Sequence, residues 1–129
     1  MKLLLDTHCW LWMRTAPEKL SGSARDLLID PENDLYLSPA SSWEIAIKYE
    51  LGRLSLPEPP AQYVPKRLAQ DSIQSLNIDH RHTLETASLP THHRDPFDRL
   101  LIAQSRIEGL PLMSADEVFS SYDVELLKA

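Results

Sequence analysis

The sequence contains few of the residues that define several large classes of protein. Its single cysteine, Cys9, excludes an intramolecular disulfide and is typical of a reducing compartment. Only 3 glycines are present, and none belongs to a glycine-rich phosphate loop. No apolar run approaches the roughly 20 residues that span a bilayer. We therefore expect a cytoplasmic protein without a membrane-spanning segment.

Basic residues are also scarce. The 129 residues include 13 Lys and Arg against 19 Asp and Glu, which gives a formal net charge of −6. This balance excludes a histone-like polyanion binder, because non-specific affinity for nucleic acid comes mostly from basic side chains. It does not exclude an enzyme that holds a metal ion between carboxylates. The length and an ordinary apolar content of 43 % predict one domain over residues 1–129.

The chain alternates short apolar segments with longer segments of helical periodicity. This alternation predicts a parallel sheet covered by helices on both faces, and therefore an α/β fold. In the helix that we expect over residues 38–51, Trp43, Ala46, Ile47 and Leu51 share a stripe that we expect to be buried. The expected strands are residues 3–5, 35–37, 75–78, 110–113 and 124–127, and the expected helices are residues 7–13, 21–28, 38–51, 63–70, 82–87, 95–108 and 115–119.

Four acidic residues lie where expected elements meet. Asp6 follows the first strand, and Asp116 lies three residues after the strand that ends at Met113. Glu44 and Asp98 lie in the first halves of two strong helices. Ligand sites of open α/β sheets form beyond the carboxyl ends of the strands, so these acids are expected to meet at one edge. Clustered carboxylates require a compensating cation, and Mg²⁺ or Mn²⁺ suits oxygen ligands and phosphodiester hydrolysis.

Each acid also has a purely structural interpretation. Glu44 is spaced to pair with Lys48. Asp95 is placed to cap the N-terminus of a helix that has Asp98 in its first turn. Asp116 suits a first helical turn. Asp6 fits such a role least well, because it directly follows a strand of the core.

Four histidines suggest a zinc site: His80, His82, His92 and His93. Their spacing matches no tetrahedral zinc site, and histidines in loops are usually solvated.

Four segments of the sequence together resemble the PIN domain family and, within it, the VapC toxins of bacterial type II toxin–antitoxin systems. These segments are residues 3–8, 41–48, 95–104 and 113–116. The resemblance implies a three-layer α/β/α fold with a central, mostly parallel sheet. It also implies a Mg²⁺- or Mn²⁺-dependent endoribonuclease that acts as a toxin. The matched acids would be both catalytic and metal-binding: Asp6, Glu44, Asp98 and Asp116.

The resemblance assigns further roles and partners. Thr7 and Ser114 match supporting hydroxyl positions, and Asp95 belongs to the local motif, although a helix cap is its favoured role. The implied partners are an RNA substrate, a second copy in a homodimer, and a VapB-like antitoxin through which alone the complex would contact operator DNA. Lys48 and Arg99 are the first candidates for RNA phosphate contacts, since each lies within a turn of a proposed ligand.

Other interpretations remain open at this point. A degenerate PIN domain would bind RNA or a protein partner without catalysis. A haloacid dehalogenase-type phosphatase would carry a second Asp at the position of His8, and a receiver domain would carry its acceptor Asp near mid-chain. Trp10, Trp12 and Trp43 are able to stack on bases, although aromatic residues more often belong to a core or an interface.

Overall fold

The computed structural model describes residues 1–129 and contains one sheet of five parallel strands. The strand order is β3-β2-β1-β4-β5, with β1 in the centre. In the sheet register Leu3 lies opposite Leu35 on β2, and Leu5 lies opposite Met113 on β4. The strands are β1 (Lys2–Leu5), β2 (Asp34–Leu37), β3 (Gln74–Ser75), β4 (Leu112–Ser114) and β5 (Leu126–Lys128).

Helices connect all of these strands except the last pair, which a 3₁₀ turn joins. They are α1 (Thr7–Thr15), α2 (Gly22–Ile29), α3 (Pro39–Glu50), α4 (Pro60–Gln70), α5 (His80–Glu85) and α6 (Pro96–Glu108), with 3₁₀ turns at Pro17–Lys19, Thr86–Ser88 and Glu117–Ser121. The expected elements are therefore present, although β3 has only two residues and the turn before β5 is 3₁₀. No helix combines the length and the apolar character that crossing a membrane requires.

Two apolar cores lie on opposite faces of the sheet, because successive strand residues point to opposite sides. Leu3 and Leu5 pack with α1 to α4, whereas Leu4 packs with α6 and the segment before β5. All three leucines are fully buried. The expected three-layer α/β/α fold with a central parallel sheet is confirmed.

The buried face of α3 differs from the expected one. Ala40, Ser41, Glu44 and Ile45 are buried, whereas Trp43 is 64 % exposed. The outer stripe also includes Ala46 and Leu51, of which Leu51 is 60 % exposed. Both stripes have helical spacing, but only the one with small residues lets α3 approach α1, where Thr7 donates a hydrogen bond to Ser41 at 2.9 Å. The prediction that Trp43 belongs to the core is wrong.

Candidate active site

Asp6 is held by the sheet and by the helix that it caps. Its backbone N–H donates to the carbonyl of Met113 at 2.9 Å, which continues the β1–β4 pairing. Carboxylate Oδ1 accepts the N–H of Thr7 at 2.7 Å, and Oδ2 accepts the hydroxyl of Ser114 at 2.8 Å. The side chain is buried, with the residue only 6 % exposed. Because β1 and β4 are parallel neighbours, residues 108 positions apart meet at their carboxyl ends.

The start of α6 brings a second acid to the same edge. Asp95 caps the helix by accepting the N–H groups of Phe97 at 2.8 Å and Asp98 at 3.2 Å, as its favoured role predicts. Pro96 occupies the first helical position, where no N–H is needed. Asp98 then points back toward the preceding loop, where His93 Nε2 lies 2.6 Å from Asp98 Oδ2.

The remaining two acids come from α3 and from the turn after β4. Glu44 is buried, with only 5 % of the residue exposed, and accepts a hydrogen bond from Lys48 Nζ at 2.8 Å. Asp116 is exposed and caps the 3₁₀ turn by accepting the N–H of Val118 at 3.0 Å. Its own N–H donates to Ser114 Oγ at 3.0 Å. Ser114 thus connects Asp6 with Asp116.

One cleft of about 440 Å³ receives all four acids proposed from the sequence. Thr7 and Ser114 are buried beside Asp6, to which each donates a hydrogen bond. The residues that line the cleft are Asp6, His8, Trp12, Glu44, Lys48, His93, Asp95, Asp98, Ala115 and Asp116.

Two carboxyl groups of the cleft have raised pKa values. Burial raises the pKa of Asp6 above its ordinary value, the Glu44 charge raises it further, and the hydrogen bond from Ser114 opposes the increase. Burial, together with repulsion from Asp6 and Asp95, raises the pKa of Asp98 to about 7, although the hydrogen bond with His93 opposes this. A bound cation would remove this unfavourable interaction.

The donor set fits a hard divalent ion. Ligand atoms of His93, Asp98 and Asp116 lie within 4.8 Å of one another, and Asp6 and Glu44 line the same cleft. Carboxylate oxygens suit Mg²⁺ and Mn²⁺, and an imidazole nitrogen is compatible with Mn²⁺.

Two side chains have roles that differ from those expected. His93 lies in the cleft, whereas loop histidines were expected to be solvated. The only sequence feature that could have predicted this location is its position five residues before Asp98, in the loop that leads into α6. His82 is buried as well, and completes a capping box with Asp79.

Arg99 holds the loop before α6 and does not line the cleft. Its two terminal nitrogens donate to the backbone carbonyls of four residues: Thr86, Leu89, Pro90 and His93. These contacts use the donors that a phosphate would need. Arg99 therefore positions this loop in the structure, and its contact with RNA phosphates stays a prediction, whereas Lys48 lines the cleft.

Comparison with known families decides the classification. The profile of the PIN domain family matches residues 3–125. The chain belongs to the PIN domain family. Within it, the chain is similar to Ribonuclease VapC16 of Mycobacterium tuberculosis, with 49 % identity over 59 residues. This match covers 46 % of the present PIN domain and 42 % of that relative, so the alignment spans less than half of either protein.

Solved structures share the complete fold of this PIN domain at low sequence identity. The VapBC2 complex of Rickettsia felis, bound to a promoter DNA fragment, contains a chain that matches with a TM-score of 0.72 at 15 % identity, over 99 % of this chain and 98 % of that one. DNA-bound VapBC of Salmonella typhimurium matches with a TM-score of 0.69 at 15 % identity, over 99 % and 98 %. FitAcB of Neisseria gonorrhoeae matches with a TM-score of 0.66 at 20 % identity, over 97 % and 96 %.

Proposed function

We propose that this PIN domain is a Mg²⁺- or Mn²⁺-dependent endoribonuclease and the toxin of a VapBC-type toxin–antitoxin system. The observation that carries the proposal is that Asp6, Glu44, Asp98 and Asp116 line a single cleft although the chain separates them widely. The similarity to Ribonuclease VapC16 supports RNA as the substrate. The family profile over residues 3–125 supports a single PIN domain across residues 1–129.

The side chains of the cleft would have different roles in metal binding and in orienting the metal ligands. Asp6, Glu44, Asp98 and Asp116 would hold the ion, with His93 as a further ligand or as the hydrogen-bond partner that orients Asp98. When bound, the ion would polarise the scissile phosphodiester and lower the pKa of a water that attacks it. Thr7 and Ser114 fix both oxygens of Asp6, and a fixed orientation is what a ligand carboxylate requires.

Lys48 has two partners available to it in this proposal. In the structure its ammonium group pairs with the buried carboxylate of Glu44 at 2.8 Å. If Glu44 served as a metal ligand, the ammonium group of Lys48 would be available to contact a phosphate of the RNA. Lys48 already lines the cleft, so this contact would need no change in the position of α3.

The partners of the protein are also part of the proposal. We expect a VapB-like antitoxin, since the solved relatives include VapBC complexes, and contact with operator DNA through that antitoxin. We expect a homodimer, and the exposed apolar stripe of α3 around Trp43 supports it. A cytoplasmic location is consistent with the unpaired, buried Cys9.

The test is a cleavage assay with total RNA and purified protein free of any antitoxin, in Mn²⁺, Mg²⁺ or a chelator. Discrete fragments are expected only with metal. They should disappear in Asp6→Asn and in Asp98→Asn, and persist in the control Asp26→Asn, which changes an exposed acid of α2. Intact RNA in every condition, from folded protein that binds Mn²⁺, would instead support a PIN domain that binds without catalysis. Cleavage that survives both site substitutions would disprove the assignment of the acids.

A further inference from the structure

A second groove opens directly beside the acidic cleft. Its volume is about 320 Å³, within the range of roughly 300–1,000 Å³ that ligand sites occupy. His8, Trp12 and Lys48 line both the groove and the cleft, so the two spaces adjoin. The walls of the groove come from α1, α3 and the turns that follow each of these helices.

The charge of this groove is opposite to that of the cleft. Lys19, Lys48 and Arg53 line it, and no Asp or Glu does, although the chain as a whole carries a net charge of −6. Neither Lys19 nor Arg53 forms an ion pair, whereas Lys66, for example, pairs with Glu58 at 3.3 Å. Two cations without an ion-pair partner therefore line a groove that adjoins the proposed site of hydrolysis.

The end of α3 explains why Arg53 faces this groove. Gly52 adopts a left-handed conformation with φ of +72°, which ends the helix. The N–H of Gly52 donates to the carbonyl of Tyr49 at 3.1 Å, and the N–H of Arg53 donates to that of Lys48 at 2.8 Å. This pair of bonds turns the chain back over the last turn of α3 and places Arg53 beside Lys48.

Trp12 adds an aromatic surface to the cationic wall. Its side chain is half-buried, with Lys19 Nζ 5.6 Å from the ring centroid and the ring of His8 5.8 Å away. Proteins that bind single strands combine these two elements, because bases stack on aromatic rings while cations contact the phosphates. A stack of this kind tolerates any base sequence.

We propose that this groove binds the single-stranded RNA that flanks the scissile phosphate, with Lys19 and Arg53 on phosphates and Trp12 against a base. The proposal rests on the proposed ribonuclease function and adds the path of the substrate. The same groove would admit an acidic peptide by charge alone, but such a peptide has no bases to stack on Trp12.

The first experiment measures how binding depends on salt. A labelled random-sequence single-stranded RNA of 12 nucleotides is titrated into Asp98→Asn protein in Mn²⁺, so that cleavage does not interfere. Each lost phosphate contact lowers the slope of log K against log salt by about 0.7 for single strands. Lys19→Ala with Arg53→Ala should therefore reduce the slope by about 1.4 and weaken binding on the order of tenfold or more at 50 mM salt.

A charge-matched control separates local contact from overall charge. Lys2→Ala with Arg25→Ala removes two exposed, unpaired cations that lie outside the groove. This control should leave the slope unchanged. An equal loss of slope in both double variants would overturn the proposal, because it would show that only the net charge matters.

The second experiment tests the stacking surface. Trp12→Leu keeps an apolar side chain against the core and removes the ring. Binding should weaken roughly five-fold to 100-fold with an unchanged salt slope, and Trp12→Phe should restore part of the affinity. Poly-glutamate that competes as well as RNA of equal charge would instead identify an acidic-peptide groove and overturn the RNA assignment.

Cleavage assays in parallel distinguish failure of the RNA-binding groove from failure of the proposed ribonuclease function. Wild-type protein that cleaves RNA, with kcat/KM unchanged in Lys19→Ala/Arg53→Ala, would overturn the groove and leave the ribonuclease function standing. Folded protein that neither cleaves nor binds RNA would overturn both. A specific increase in KM in the double variant, with kcat retained, is the result that we expect.

Discussion

Ser114 is the residue on which the geometry of the candidate site depends most. Its hydroxyl donates to Asp6 Oδ2 at 2.8 Å and accepts the N–H of Asp116 at 3.0 Å. Neither bond can form without the hydroxyl oxygen. One small side chain therefore sets the position of two proposed ligands.

Ser114→Ala should lower Mn²⁺ affinity and the cleavage rate by about 10- to 100-fold, the usual effect of losing a group that orients a metal ligand. Titration calorimetry and single-turnover cleavage would measure the two quantities. Ser23→Ala, at an exposed position of α2, serves as the control. Full activity of Ser114→Ala would contradict the supporting role.

Asp98 couples the stability of the metal-free protein to pH. Burial is the main cause that raises the pKa of Asp98 in the folded protein from its ordinary value of 3.8 to about 7. Between these values the folded chain binds a proton that the unfolded chain has released. The free energy of unfolding therefore falls as pH rises from about 4 to about 7 and levels off above that range.

Urea denaturation in a chelator between pH 4.5 and 8 tests this dependence. Asp98→Asn should lose less stability over this range than wild type, because Asn has no proton to release. Wild type and variant with parallel pH dependences would contradict the raised pKa. Added Mn²⁺ should stabilise wild type more at pH 8 than at pH 5, since the ion and the proton compete for the carboxylate.

At the scale of single elements, a glycine at a helix end and a glycine at a helix start differ in backbone conformation. Gly109 ends α6 with φ of +66°, a conformation that an L side chain adopts at a cost of about 1–2 kcal/mol. Gly22 starts α2 at negative φ, and a Cβ there would meet nothing within 4 Å.

We expect Gly109→Ala to lower the free energy of unfolding by about 1 kcal/mol, because of its left-handed φ. Gly22→Ala should be neutral or stabilising by about 0.5 kcal/mol, since alanine reduces the entropy of the unfolded chain. Urea denaturation of both variants measures the difference. Equal stability of the two variants would contradict this explanation of the α6 end.

Local signals predicted most elements well. Asp95 and Pro96 mark the start of α6 and Gly109 its end, so the helix expected over residues 95–108 is found at Pro96–Glu108. The strand expected over residues 75–78 is reduced to Gln74–Ser75 at the sheet edge. It has a paired neighbour on one side only, so few contacts extend it.

At the scale of the whole molecule, the outer face of α3 exposes large apolar side chains to solvent. Trp43 is 64 % exposed and packs edge-on against Phe97, with ring centroids 5.2 Å apart. Leu51 is also largely exposed on this helix. Exposed apolar surface of this kind is typical of an interface.

If the chain forms the proposed homodimer through α3, Trp43→Glu should convert it to a monomer, because a charge would be buried in the interface. Sedimentation velocity would measure the mass. Ile29→Glu, which changes an apolar side chain of α2 that is 79 % exposed, is the matched control and should leave the dimer intact. Dissociation by Ile29→Glu alone would place the interface elsewhere.

Local sequence patterns were sufficient to predict the α/β class and to locate four acids near the starts of helices or after strands: Asp6, Glu44, Asp98 and Asp116. Apolar periodicity, helix caps and turns are local properties, so they are legible in the order of the residues. The motifs also identified the family. A parallel sheet predicts that the acids converge, because the carboxyl ends of its strands share one edge.

Three features depend on long-range packing and were not predictable from the sequence: the buried face of α3, the position of His93 in the cleft, and the contacts by which Arg99 holds a loop. Spacing along a helix defines several stripes, and the choice among them depends on what packs opposite. Trp43 faces outward because Ser41 and its small neighbour Ala40 allow the close approach to α1. A loop residue such as His93 has no periodicity, so its direction is set by contacts distant in sequence, including the hydroxyl of Tyr122, which accepts its N–H.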